Sequence, residues 1–377
     1  MSCFFHHTRA VAEIDTDALW RNFCLLRTYI SEQARHPTRM IAVVKANAYG
    51  HGLSLAVPAF LRAGCDFFAV ATLDEAVEVR RLAPRADILI LGYTPPSQAV
   101  RLSALRLLQT VFSVEYAAEL AHYAKLAGVT VGIHLKIDGG MCRLGFAPND
   151  QRGILSAALQ EGLLPLGIFT HFPTADTDKA ATRCALSRFL ACRDELKKSG
   201  LSLFAHAAAS AALLGMPETI LDGVRPGLAL YGVSPVKTPL PLTPAMTLAC
   251  SVVQLHRVGA GTPVGYGGSF VTARPSLCGT VSLGYADGLS RALSGFHATW
   301  VSREKRVPVP IIGRICMDQT MLDLTGCDAH VGDRIEIFHS PCGAARYLHT
   351  IPYEVLTALS ARVPRISKNK DPKKELL

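Results

Sequence analysis

The stretch Ile41-Ala42-Val43-Val44-Lys45-Ala46-Asn47-Ala48-Tyr49-Gly50-His51-Gly52 opens as an apolar, β-branched run and ends in small residues and glycine, with a lysine at the change. This is the pattern of a buried strand that delivers an amine to a loop. Burial strips water from an ammonium and lowers its pKa, and a neutral amine is what Schiff-base chemistry requires. Lys45 is therefore a candidate covalent anchor, the plain alternative being a strand-end lysine whose ammonium reaches solvent.

Outward from this stretch, a short apolar run followed by a longer amphipathic one recurs eight times between Met40 and about Pro226. The strands are expected at Met40 to Val44, Phe67 to Ala71, Ile88 to Leu91, Leu108 to Phe112, Gly132 to Lys136, Leu166 to Thr170, Ser202 to His206 and Val224 to Pro226. Helical spacing marks Leu73 to Ala83, Val114 to Ala127 and Asp178 to Lys198. Thr72 with Glu75 reads as a capping box, and Gly128 and Gly200 as helix stops. Parallel strands need crossover helices, so eight such units predict a (β/α)8 TIM-type barrel. An open doubly wound sheet is the alternative, but no Gly-x-Gly-x-x-Gly follows the first strand. A barrel places its chemistry where strands end, and Lys45, Lys136, His171, Ser210 and Arg225 all lie at or just past such ends.

A proline-rich segment from Ser234 to Pro244 closes this region, and strand-like runs joined by glycine-containing turns follow: Leu248 to Val258, Leu277 to Leu283, Val307 to Ile315, Gln319 to Leu324 and Arg334 to Phe338. One helix is expected from Tyr353 to Arg362. The expected division is a barrel over residues 1–240, a C-terminal mainly β domain over 241–366 and a disordered basic tail over 367–377.

The chain has 377 residues, 49% of them hydrophobic, enough for a large core in two domains. No apolar run is long enough for a membrane span: candidates such as Ile154 to Phe169 are interrupted, here by Gln160, Glu161 and Pro165. The N-terminus lacks the pattern of an export signal. Eleven scattered cysteines without a Cys-x-x-Cys pair suit reduced thiols in the cytoplasm and offer no metal site. The net charge of +9 is spread along the chain apart from the tail lysines, which argues for anionic small molecules over nucleic acid as partners.

The ordered set of segments resembles the alanine racemase family over nearly the whole chain. It comprises Val44 to Gly52, Lys136-Ile137-Asp138-Gly139-Gly140-Met141-Cys142-Arg143-Leu144-Gly145, Thr170-His171-Phe172, Val224-Arg225-Pro226-Gly227, Val264-Gly265-Tyr266-Gly267, Gly284-Tyr285-Ala286-Asp287-Gly288, Cys316-Met317-Asp318-Gln319 and Tyr353-Glu354-Val355-Leu356. The resemblance implies a pyridoxal 5'-phosphate enzyme that interconverts L- and D-alanine, the D-alanine serving peptidoglycan synthesis. In it Lys45 carries the cofactor and acts as acid or base on one face of the substrate. Tyr266, reaching into the barrel of a partner subunit in a homodimer, serves the opposite face.

The same resemblance gives His171 and Arg225 as the groups that support Tyr266 and face the pyridine nitrogen. It gives Tyr49, Ser210, Tyr353 and the backbone amides of Gly227 and Leu228 as the phosphate cradle. Arg143 and the amide of Met317 would meet the substrate carboxylate, and Tyr285 would line the entrance. Lys136 matches a lysine carbamylated in many relatives, where it orients the arginine. Two residues depart from the family pattern: Ala209 stands where asparagine is usual, and Gly139 where threonine or serine is. A serine or broad-specificity racemase, a decarboxylase on the same barrel, and a non-catalytic cofactor-binding relative are the alternatives.

Overall fold

A computed structural model describes residues 9–369. They form two units: Leu19–Ala48 with Ala56–Thr243, and the chain up to Ala18 together with Tyr49–Leu55 and everything from Pro244 on.

The first unit holds nine parallel strand segments in the order Arg39–Met40, Gly223–Arg225, Phe204–Ala209, Leu163–Phe169, Val131–Lys136, Leu108–Val111, Asp87–Ile90, Phe67–Val70 and Ala42–Val43. The two ends of this order are halves of one strand. Met40 pairs with Val224 and Ala42 with Phe68, so the sheet closes on itself as the expected barrel and leaves no edge. Between the halves, the Ile41 amide donates to Val224 O at 2.8 Å. Strands covered on both sides are mostly apolar, and Phe67, Phe68, Ala69 and Val70 are all buried.

The helices begin and end where their capping residues dictate. Leu73–Leu82 starts at a capping box in which Thr72 Oγ1 accepts from the Glu75 amide and the Glu75 carboxylate accepts from the Thr72 amide. Gly128 and Gly200 take positive φ just after Val114–Leu126 and Lys179–Lys198, as a left-handed stop requires.

The second unit is built on the long strand Met246–Val258. Its first half pairs with Arg334–Phe338 and with Ala10–Ile14, and its second half with Ser276–Val281. Thr320–Asp323, Arg306–Ile312 and His297–Val301 complete a sheet that curls back on itself. The mainly β domain is as expected, with two helices, Pro341–Tyr347 and Pro352–Thr357, near its end.

The expected barrel segment of residues 1–240 differs in that the chain up to Ala18 and the segment Tyr49–Leu55 group with the β unit. Ala10–Ile14 lies in the β unit, between Met246–Val258 and Arg365–Ser367, because a closed barrel has no free edge to satisfy another strand's amides and carbonyls. The expected tail begins too early for the same reason: Ser367 belongs to that strand, and the Lys368 amide donates to Ile14 O at 2.9 Å. Residues 370–377 of the expected tail lie outside the described residues. The helix expected to Arg362 ends at Thr357, since Arg365 draws the carbonyls of Leu359, Ser360 and Val363 around its guanidinium at 2.6–2.7 Å.

Candidate active site

The closed ring gathers the strand-end residues at one mouth of the barrel. Lys45 follows Ala42–Val43, Lys136 ends Val131–Lys136, His171 lies two residues past Leu163–Phe169, Ser210 follows Phe204–Ala209, and Arg225 ends Gly223–Arg225. Burial lowers the pKa of Lys45, and the charges of Arg143 and Arg225 lower it further against the opposing pull of Glu75. Lys136 is lowered to about 8 by burial, then by Arg225 and Arg143. Its Nζ sits 5.0 Å above the Phe169 ring, and the Arg225 guanidinium lies 5.1 Å from the same ring. His171 is pushed down to about 3 by burial and by those cations, so near neutrality its imidazole is uncharged. Lys45, Lys136, Arg143 and Arg225 give this mouth a positive charge that Glu75 and Asp138 only partly offset, which favours an anionic ligand.

The turn after Lys45 is left-handed. Ala46, Asn47, Ala48 and Tyr49 have φ of 52° to 54°, a conformation that costs an L-residue about 1–2 kcal/mol. The Ala48 amide reaches back to Val44 O at 2.8 Å, and the Ala46 amide donates to Glu75 Oε1 at 2.7 Å.

Arg225 is buried, and its guanidinium donates to Thr170 O at 2.6 Å, to Ala207 O at 2.8 Å and to His206 Nδ1 at 2.6 Å. His206 lies 2.8 Å from His134 inside the barrel. Burial lowers both imidazoles, His134 to about 3. His134 has room because residue 167 is glycine: a Cβ there would lie 2.5 Å from the ring. Burial pulls Arg225 itself down to about 9, which still leaves the guanidinium charged near neutrality.

Of the residues expected to cradle a phosphate, Ser210, Gly227 and Leu228 come together. Ser210 Oγ accepts from the amides of Gly227 at 3.0 Å and Ala229 at 3.2 Å, which leaves its hydroxyl proton to donate to an anion. Tyr49 and Tyr353 meet in the β unit with ring centres 5.8 Å apart. Burial raises the Tyr49 pKa, so its phenol remains a donor.

Arg143 sits on a loop nucleated by Asp138, whose carboxylate accepts from the amides of Gly140, Met141 and Cys142 at 3.1–3.3 Å. The departure at Gly139 has a steric reason, since a Cβ there would overlap His171 O. Ala209 only opens the helix Ser210–Gly215, with no side-chain cap.

In the β unit, Tyr266 stands at the tip of the hairpin Pro263–Val264 and Phe270–Val271 and is 69% exposed. It shares an open cavity of about 690 Å³ with Met317 and Gln319. The loops of Tyr285 and Met317 are knitted together: Tyr285 N donates to Cys316 O and Ala286 N to Met317 O, both at 3.0 Å. Asp287 braces them. Its carboxylate takes the Gly284 amide at 2.9 Å, Arg9 at 3.0 Å and Arg362 at 3.3 Å, while Arg362 also holds Asp318 at 2.6 Å.

Sequence reasoning assigned no role in the site to Glu75, His134, His206 or Asp287. Glu75 was visible only as a helix cap. The histidines carried a weak signal, as polar residues within mostly apolar barrel strands. Asp287 lay unexplained inside a glycine-bounded turn. A separate cavity of about 540 Å³, lined by Phe23, Arg27, His36 and Cys65 among others, opens where the strands begin, away from this chemistry. Among the described residues no cluster of three or more His, Cys, Asp or Glu side chains is placed to hold a metal.

The fold and the lysine-centred cationic mouth define a barrel protein equipped for amine and carbonyl chemistry on an anionic ligand. The model of the alanine racemase N-terminal domain matches residues 14–235, and that of the C-terminal domain residues 245–367. The chain is 40% identical to alanine racemase 2 of Caldanaerobacter subterraneus subsp. tengcongensis, over 94% of this chain and 93% of that protein. The structure of alanine racemase from D-cycloserine-producing Streptomyces lavendulae superposes with a TM-score of 0.89 at 34% identity, covering 97% of this chain and 98% of the other. That of alanine racemase from Bartonella henselae with covalently bound pyridoxal phosphate superposes at 0.85 and 29% identity, covering 96% and 99%. The chain belongs to the alanine racemase family.

Proposed function

We propose that the protein is a pyridoxal 5'-phosphate-dependent alanine racemase, with Lys45 as the covalent attachment point of the cofactor. The observation that carries this reading is the place of the Lys45 amine at the strand-end mouth of a closed barrel, in a setting where the positive charges of Arg143 and Arg225 outweigh the carboxylate of Glu75. The residues present fit the cofactor. Ser210, the amide of Leu228 and the phenols of Tyr49 and Tyr353 would hold its phosphate, with the Gly227 amide holding Ser210 Oγ in place at 3.0 Å, and Arg225 would face its ring nitrogen. The bound cofactor supplies an electron sink for the charge left when the substrate Cα proton departs.

Lys45 takes or returns the Cα proton on one face, which its depressed pKa favours near neutrality. Tyr266 does so on the other, with neutral His171 accepting a hydrogen bond and the Arg225 charge behind it. Arg225 keeps its own proton and so would leave the ring nitrogen of a bound cofactor unprotonated, a weaker sink that would favour proton return over side reactions. Arg143 and the Met317 amide bind the substrate carboxylate, and Tyr285 narrows the entrance to small side chains. Lys136, with its amine partly neutral near pH 8, is suited to carbamylation, which would give Arg143 an anionic partner.

The exposure of Tyr266 at a hairpin tip supports a homodimer in which each tyrosine completes the partner's site. The ten described cysteines are unpaired and no described helix is long and apolar enough to cross a membrane. Both suit an enzyme of the reducing cytoplasm that supplies D-alanine for peptidoglycan.

The test is chiral chromatography of L-alanine incubated with purified protein and pyridoxal phosphate, with L-serine alongside. Approach to equal amounts of L- and D-alanine is the expected outcome. A loaded enzyme that leaves L-alanine unchanged would overturn the reading, and racemisation of serine alone would transfer it to that substrate.

A further inference from the structure

The left-handed turn that follows Lys45 is an improbable conformation in an improbable place. Ala46, Asn47, Ala48 and Tyr49, none of them glycine, all lie at positive φ, and such a run persists only where its surroundings over-determine it. A side chain from a different part of the ring holds its first amide. Glu75 Oε1 accepts from Ala46 N at 2.7 Å, while Oε2 accepts from the amides of Ala71 at 2.8 Å and Thr72 at 3.3 Å. Both oxygens are thus committed, one to each side of the gap between the first strand's turn and the start of helix Leu73–Leu82.

We propose that Glu75 is a positioning residue for Lys45. Its carboxylate, anchored on the amides of Ala71 and Thr72, clamps the amide of Ala46 and fixes the left-handed turn that begins at the reactive lysine. The assignment rests on the reading of Lys45 given above. A hydrogen bond to an ionised carboxylate is stronger than one between neutral groups, which suits a clamp that must hold a disfavoured backbone. Length matters as well as charge. Aspartate is shorter by one methylene and cannot span both sides. Glutamine has one accepting oxygen and can serve only one of them. The same carboxylate brings a negative charge to Lys45 opposite Arg143 and Arg225.

The experiment measures amide hydrogen exchange of residues 45–48 in the cofactor-loaded protein, together with kcat and KM, for Glu75→Ala, Glu75→Asp, Glu75→Gln and Thr72→Ala. Thr72→Ala removes the cap oxygen of the same helix and leaves the Ala46 clamp in place, so it reports what cap loss alone does. Loss of the clamp should speed exchange of these amides by about tenfold or more in Glu75→Ala and Glu75→Asp. It should lower kcat with little change in KM, leave Glu75→Gln intermediate, and leave Thr72→Ala close to wild type in both readouts. Slow, wild-type exchange in Glu75→Ala, or equal acceleration in Thr72→Ala, would reduce Glu75 to a helix cap and overturn the proposal. Should Glu75→Ala fail to fold, Glu75→Gln against Thr72→Ala carries the same comparison.

The visible absorbance of the lysine-bound cofactor separates the two levels. If Lys45→Ala keeps that band, the reading of Lys45 falls and the role of Glu75 with it. If the band depends on Lys45 and the turn is indifferent to Glu75, only the clamp falls.

Discussion

Arg225 Nη1 donates to His206 Nδ1 at 2.6 Å, and because a guanidinium has only donors, this contact fixes the imidazole's tautomer. The neutral His206 must carry its proton on Nε2, which donates to His134 Nδ1 at 2.8 Å, so His134 is protonated on Nε2. The orientation of the arginine expected to face the cofactor is thereby set from within the barrel. His206→Phe should leave a buried guanidinium donor unpaired and destabilise the protein by about 1–3 kcal/mol, with weaker cofactor retention. Urea unfolding and dialysis of the loaded enzyme would measure both, and His206→Gln, which can still accept, should recover part of the loss.

Gly167 provides the space that His134 occupies. Gly167→Ala should cost about 1–3 kcal/mol through overpacking. Wild-type stability in this variant would show that the histidine pair can move freely.

Acid should unfold the protein through its neutral buried imidazoles. His134 and His171 each sit at about 3 when folded, below the ordinary value near 6.5, so as pH falls the unfolded chain binds protons first. Their contribution is complete above pH 6.5 and is lost as pH drops toward 3, at about 1.4 kcal/mol per pH unit for each histidine. Denaturant midpoints between pH 7.5 and 4.5 should fall accordingly, and a flat profile would contradict the assignment.

Lys45→Ala should abolish both the visible band of the lysine-bound cofactor and racemisation. Tyr266→Phe should keep the band and lose proton exchange at one face, with rates down by about a hundredfold or more as expected for loss of a general base. Solvent deuterium incorporation from L- and from D-alanine separates the two faces. Full activity in Tyr266→Phe would remove it from the mechanism.

Asp287→Ala should loosen the loops of Tyr285 and Met317, since their brace to Arg9 and Arg362 is lost. A several-fold rise in KM for alanine, larger than the fall in kcat, is the expected pattern. An unchanged KM would show that the loops hold without it.

The barrel was legible from the chain because each strand and helix is a local matter. Unbroken apolar runs, helical spacing and residues such as Thr72, Gly128 and Gly200 act over a few positions, and their eightfold recurrence leaves a closed ring as the economical arrangement. Lys45, Lys136, His171, Ser210 and Arg225 could be nominated for the same reason, since each stands at the end of a recognisable strand. The grouping of Ala10–Ile14 with strands more than two hundred residues away was not legible, because pairing across the chain is decided by which sheet has an edge to offer.

Nor could sequence reveal that Glu75, a helix cap by its spacing, also clamps the turn after Lys45, or that His206 orients Arg225. Sequence determined which residues form the elements and which chemistry stands at their ends. Tertiary structure alone decided which side chains share the barrel's interior and which backbone amides a carboxylate can reach. Those contacts arise only when the ring closes and brings remote positions within hydrogen-bonding distance.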